Sequence, residues 1–244
     1  MAGLLHRALA PLAFTGLLAC DTPSGTESLM LADDLAHLLV SARAGDIHVE
    51  TSPAVGRIHV DAILYGRGTE VRAAVEGETL VLRPACDGVQ IRCGIDWHIT
   101  VPARETPRHL DLDADSGDIH VSDVMGTIDA RTRSGSLSFA NVASSSAILD
   151  AASGDVTIDA SVIERLDVFT GSGDIEVSLL ERPLAVELDT RSGRVDLGVP
   201  AGDYALELES RSGKLSLDRV TPNAAVPERI EISTGSGDVR VRGH

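Results

Sequence analysis

Aromatic side chains are only 2% of the 244 residues, cysteine occurs three times, and 21 Lys and Arg face 37 Asp and Glu. Each scarcity excludes something. So few rings leave little on which bases or sugars could stack. A formal charge of −16 argues against nucleic acid as a partner, because binding it draws on a basic footprint. The apolar run from Ala8 to Ala19 is too short to cross a bilayer as a helix. No nucleophile elbow, phosphate loop or His-Glu-x-x-His occurs, so the chain offers no ready catalytic constellation.

What the chain has in abundance is one short phrase. Ser-Gly-Asp-Ile-His-Val and its variants recur around Gly117, Gly135, Gly154, Gly173, Gly193, Gly213 and Gly237, with an earlier copy around Gly45. The spacing, roughly 18 to 24 residues, signals a stacked repeat architecture. Apolar residues stand two and four places after each glycine (Ile119 and Val121, Val156 and Ile158) and five and seven before it (Leu112 and Leu110, Leu149 and Ala147). That is period-two alternation on both sides of a corner, so each repeat holds two half-buried strands and no helix. Three places before the glycine a small residue always stands, such as Ala114, Thr132, Thr170 or Thr234. A narrow corner predicts this, with the glycine supplying backbone freedom to turn.

Stacked in register, such repeats form a parallel β-solenoid (β-helix) of about eight coils, since one repeat cannot bury its own apolar face. The general hand of parallel crossovers makes it right-handed. Val124, Val142, Leu180 and Val220 are expected to form a third apolar corner. Successive coils place Arg191, Arg194, Arg211 and Lys214 together as one basic patch, expected to pair with Asp174 and Asp189, the alternative being a phosphate or an acidic polymer. Asp after the glycine (Asp118, Asp155, Asp174, Asp238) is read as a turn or capping residue.

The organisation follows in chain order. Residues 1–19 have the shape of a secretory signal, and Leu17-Leu18-Ala19-Cys20 look like the lipobox of bacterial lipoproteins, which makes Cys20 the lipidation site. Residues 20–36, rich in Pro, Ser, Gly and Thr, are expected to be a tether. Residues 37–109 hold a first coil plus an N-terminal β-hairpin insert serving as a cap; 110–244 hold the regular repeats. The last strand, Asp238 to His244, is expected at the free edge, its Arg240 and Arg242 discouraging end-to-end pairing. With Cys20 lipidated, Cys86 and Cys93 remain as an even pair flanking the turn signal Asp87-Gly88, which favours a disulfide across a hairpin and an oxidising compartment.

The in-register Ser-Gly-Asp-Ile/Val-x-Val phrases, the Trp97-His98-Ile99-Thr100-Val101-Pro102 strand and the lipoprotein-like start resemble the bacterial β-strand-repeat family of unknown function labelled "putative adhesin". The likeness runs from about Leu38 to Val241. It implies a solenoid in the cell envelope, periplasmic or at the cell surface, and brings no catalytic residues with it.

Outward positions of the strand before the glycine collect Asp111, Asp113, Asp129, Asp150, Asp167, Glu187, Asp189, Glu207 and Glu209, an acidic face able to attract cations such as Ca²⁺ or simply to stay solvated. His48 and His120 share one outward position and stack if their coils are adjacent; with Asp46 and Asp118 they form a candidate metal pair. No cofactor is expected otherwise. The leading functional expectation is a non-enzymatic, lipid-anchored, adhesin-like rod with a protein or polysaccharide partner. The alternatives are a periplasmic envelope-stress sensing or regulatory module and a carbohydrate-active β-helix enzyme, for which the short connections leave little material for cleft walls.

Overall fold

The computed structural model describes residues 23–31, 35–86, 93–103 and 107–244. The proposed signal and Cys20 lie outside them. Among the described residues every regular element is a strand, and no helix is long and apolar enough to cross a membrane. The chain begins with β1 (Gly25–Leu31), β2 (His37–Ala44), β3 (Ile47–Ser52), β4 (Ile58–Tyr65), β5 (Thr69–Glu76), β6 (Thr79–Cys86) and β7 (Gly94–Pro102). Repeats then supply β8 (His109–Ser116), β9 (Ile119–Ser122), β10 (Thr127–Ser134), β11 (Leu137–Ala140), the short β12 (Ala143–Ser144), β13 (Ala147–Ala151) and β14 (Val156–Ile163). After them come β15 (Arg165–Thr170), β16 (Ile175–Leu179), β17 (Ala185–Thr190), β18 (Val195–Val199), β19 (Gly202–Ser210), β20 (Leu215–Asp218), β21 (Val220–Pro222), β22 (Arg229–Thr234) and β23 (Val239–Gly243).

The strands form two largely parallel sheets around one continuous core. Strands that follow a glycine corner share a 12-stranded sheet, in the order β1-β4-β7-β3-β9-β11-β14-β16-β18-β23-β20, with β12 off this path. Strands that precede it share an 11-stranded sheet, β21-β19-β22-β17-β15-β13-β10-β8-β2-β6-β5. Register follows the repeat residue for residue: Ile119 faces Leu137, which faces Val156, then Ile175, Val195 and Val239. All six are buried. The alternation read from the sequence therefore becomes continuous apolar ladders, each contact supplied by a neighbouring repeat.

Layer order departs from chain order at both ends. β6 stacks on β2 and β7 on β3, both in parallel, so these two strands form a layer outside the first coil. Antiparallel strands flank it: β4 on β7, β1 on β4 and β5 on β6. The expected hairpins are present, but they frame an additional layer, and the expected tether contains edge strand β1. At the other end β22 lies between β17 and β19, and β23 between β18 and β20. The final repeat is thus wedged inside the stack, and β20, not β23, is the free edge. Arg240 and Arg242 sit within the sheet surface beside Asp196, at 3.9 and 2.8 Å. Repeats with one common inward profile fit any slot, so connection length decides which slot each takes. The eleven-residue stretch from Asp218 to Glu228 is long enough to return across a layer.

Two further expectations change. Val124, Val142 and Val220 are buried at the third corner, but Leu180 is 53% exposed while Leu179 is fully buried. A register shift between Ile158 and Ser161 aligns Ser161 with Leu179 and moves the inward position by one residue. Cys86 and Cys93 are disulfide-bonded with Cα atoms 6.0 Å apart. Because β6 and β7 belong to different sheets, the bond closes a corner between sheets instead of bridging a two-stranded hairpin.

Candidate functional site

The corners must be understood first, because they absorb most of the polar residues that recur. A Cβ added at Gly117 would stand 2.0 Å from the carbonyl oxygen of Gly45; at Gly154, 1.8 Å from that of Gly135; at Gly193, 1.8 Å from that of Gly173. The repeat needs glycine chiefly because adjacent layers touch backbone to backbone there. The small residue three places earlier uses its hydroxyl: Thr132, Thr170, Thr190 and Thr234 donate to the carbonyls of Gly117, Gly154, Gly173 and Gly193 at 2.9–3.2 Å. The Asp after the glycine accepts a backbone N–H from the next layer. Asp46 accepts from Asp118, Asp118 from Ser136, Asp155 from Asp174, Asp174 from Arg194 and Asp238 from Lys214, all at 2.7–2.9 Å. The capping reading of Asp holds in this inter-layer form, and these carboxylates are committed to the stack.

The basic patch is split by the wedged repeat. Gly193 contacts Gly237, and Gly237 contacts Gly213, so a whole layer separates Arg191 and Arg194 from Arg211 and Lys214. Arg194 pairs with Asp174 at 3.1 Å as expected. Arg191 lies over the Phe169 ring, 5.5 Å from its centre.

On the outward surface of the 11-stranded sheet, pairing aligns Asp111 with Asp129, Asp167 with Glu187, and Glu187 with Glu231, which in turn faces Glu207. A second row aligns Asp113 with Arg131 and Arg131 with Asp150, then Phe169, Asp189, Ser233 and Glu209. The acidic face therefore exists, broken by Ile148, Arg131 and Phe169. Arg131 pairs with Asp129 at 2.8 Å, and Arg229 reaches both Glu231 and Glu207. Where it is unbroken the charges strain: burial and then Asp150 raise the Asp167 carboxyl, and burial, Asp167 and Glu231 raise that of Glu187.

The other sheet carries a feature that the sequence showed only in part. His48 and His120 stack with ring centres 4.7 Å apart and planes within 16°, and His98 of the added layer stacks on the opposite face of His48, also at 4.7 Å and within 9°. The three line a shallow depression of about 170 Å³ with Glu50, Thr100 and Ser122. Next to it His59 meets Asp61 at 3.0 Å. The sequence alone does not group His98 with them, because its strand reads as part of a hairpin, although His98 stands two residues after Asp96 just as His48 follows Asp46. Burial, then His120 and His98, lower the His48 pKa, with Asp46 and Asp96 opposing. Among the described residues no group of three or more His, Cys, Asp or Glu is placed to hold a metal ion.

The fold has known counterparts. A "putative adhesin" from Bacteroides fragilis NCTC 9343 aligns with TM-score 0.55 and 15% identity over 90% of this chain and 96% of its own. Two proteins from Parabacteroides distasonis ATCC 8503 align more loosely. One is a "putative adhesin" (TM-score 0.46, 12% identity, 88% and 96% covered) and the other a "putative lipid binding protein" (TM-score 0.45, 13% identity, 89% and 97% covered). The first of these shows a shared fold and nothing finer. No match is found among curated proteins. The family model for Toastrack DUF4097 matches residues 32–242, nearly the whole repeat array and its N-terminal layers, and the chain belongs to that family.

Proposed function

We propose that this chain is a lipid-anchored protein of the bacterial envelope, adhesin-like and non-enzymatic, whose right-handed rod of about eight coils presents a surface to another macromolecule. The observation that carries this reading is the division of polar residues. Corner Asp, Thr and Ser side chains are spent on inter-layer hydrogen bonds, so the chemistry left for a partner lies in the outward rows. One sheet offers aligned carboxylates and the other the imidazole stack. Such flat, repetitive arrays suit an extended protein or polysaccharide better than a small substrate, which is usually held in a concave site. The name of the Bacteroides fragilis counterpart, a "putative adhesin", accords with this reading, and Cys20 would supply the anchor with acyl chains enough for stable insertion.

The test is fractionation and surface proteolysis of cells expressing the chain with and without Cys20→Ser. The wild type should stay with membranes and be cut by added protease if it faces outward, and the variant should become soluble. Retention of Cys20→Ser in the membrane would refute the anchor. Pull-down of the native protein with and without EDTA then asks whether cations on the acidic face take part, and a glycan-cleavage screen on the purified protein asks whether it turns over a substrate.

A further inference from the structure

The end of the stack formed by β19 and β20 is open. Inward residues that are buried in every interior layer emerge here: Leu215 is 51% and Leu217 40% exposed, and Leu206 and Leu208 are only partly buried. Among the described strands β20 pairs with β23 alone. In the layer beneath, Gly237 and Val239 donate outward to Ser212 and Lys214. Their equivalents Gly213 and Leu215 have no layer beyond them, so a row of backbone groups faces outward beside a strip of leucine.

We infer that this end is a self-association surface: two copies join end to end about a two-fold axis, their edge strands pairing antiparallel and continuing both sheets. An isologous contact requires a patch complementary to itself, and the residues of β20 meet that requirement in one register. Centred on Ser216, Leu215 faces Leu217 of the second copy and Lys214 faces Asp218. Leucine meets leucine on the inward side, and opposite charges meet on the outward side. Parity agrees as well, since Leu215 and Leu217 are the residues whose backbone groups point away from the stack. They form the hydrogen-bonded pairs, while Ser216 faces its own copy in a non-hydrogen-bonded pair.

The second sheet supplies an independent check. Centred on Glu207, β19 places Leu206 opposite Leu208, within the stretch 205–210 that β21, paired with Gly202 to Tyr204, leaves uncovered. Glu207 and Ser216 lie equally far along the chain from the corner at Arg211 and Ser212, so they face one another across the core and a single axis passes through both. The one like-charge contact is Glu207 with its own copy, and Arg229 lies 3.5 Å from that carboxylate. Charged edges usually prevent such pairing. Here Lys214 and Asp218 carry opposite signs at mirrored positions and favour it.

Cysteine cross-linking in membranes of cells expressing the full chain tests this. A non-hydrogen-bonded pair places Cα atoms about 4.5 Å apart, within disulfide range. Ser216→Cys should therefore give at least ten-fold more disulfide-linked homodimer than Ser138→Cys, a control on an interior layer. Lys214→Asp should cut the Ser216→Cys dimer at least five-fold, and adding Asp218→Lys should restore it, which loss of folding could not mimic. Glu207→Gln should raise the dimer yield. Cross-linking of Ser216→Cys no greater than the control, a product with the mass of a different protein, or no rescue by the charge swap would overturn the inference.

Discussion

At Gly193 the fold tolerates no side chain at all. A methyl group there would sit 1.8 Å from the Gly173 carbonyl oxygen, and neither backbone can yield without opening the stack. Gly193→Ala should cost about 3 kcal/mol, the upper end for overpacking. Gly56→Ala, where a Cβ meets nothing within 4 Å, should stay within about 0.5 kcal/mol of wild type; urea denaturation of both variants measures the contrast. Burial and the flanking imidazoles of His120 and His98 lower the His48 pKa below its usual 6.5, so the unfolded chain takes up that proton first. Its contribution to stability is therefore complete above about pH 6.5 and declines as the pH falls below it. His48→Gln should flatten the decline, seen as a smaller drop in urea midpoint between pH 7.5 and 5.5. Glu187 has the opposite sign. Its raised pKa, from burial and then Asp167 and Glu231, means that repulsion is relieved below its ordinary range and grows as the pH rises through its folded value. Glu187→Gln should thus stabilise at pH 7, and the gain should vanish near pH 4.

Among the elements, the N-terminal layer of β6 and β7 depends on a staple. Cys86 and Cys93, seven residues apart, close a short loop, and loop-closure entropy for that length corresponds to about 2.5 kcal/mol. Replacing both with Ser should lower the thermal midpoint and raise amide exchange in β6 and β7 first. A uniform change across the repeats would contradict this. The same layer shows where sequence reading stopped. Trp97 is fully buried and donates from Nε1 to the Ser41 carbonyl at 3.1 Å, and Ile99 pairs with Val49. Its alternation was legible, but a strand's inward face does not say which neighbour it adopts. Antiparallel pairing with β4 on one side masked parallel pairing with β3 on the other. The imidazole stack was legible for His48 and His120, which share one phrase, and illegible for His98, whose membership depends on that pairing.

For the molecule as a whole, the wedged final repeat makes the C-terminal end cooperative. The inner hydrogen bonds of β19 go to residues 228–234, including Ala205 N–H to the Glu228 carbonyl at 2.9 Å and Arg211 N–H to that of Thr234 at 3.2 Å. Deleting residues 223–244 should strip exchange protection from 205–218 as well, while layers up to β16 stay protected. Continued protection of 205–218 in the truncated chain would show that β19 and β20 can restack directly on β17 and β18.

The sequence by itself determined the period, the two strands per repeat, which side chains enter the core and where the corners fall. All of these are local consequences of alternation and of glycine every twenty residues or so. Only the tertiary structure decided the order of layers at the two ends, the identity of the open edge, the residue filling the third corner and the third imidazole. Repeats that share one inward profile are interchangeable to the core, so their order is settled by how far each connection reaches and by which backbone edge it finds unpaired.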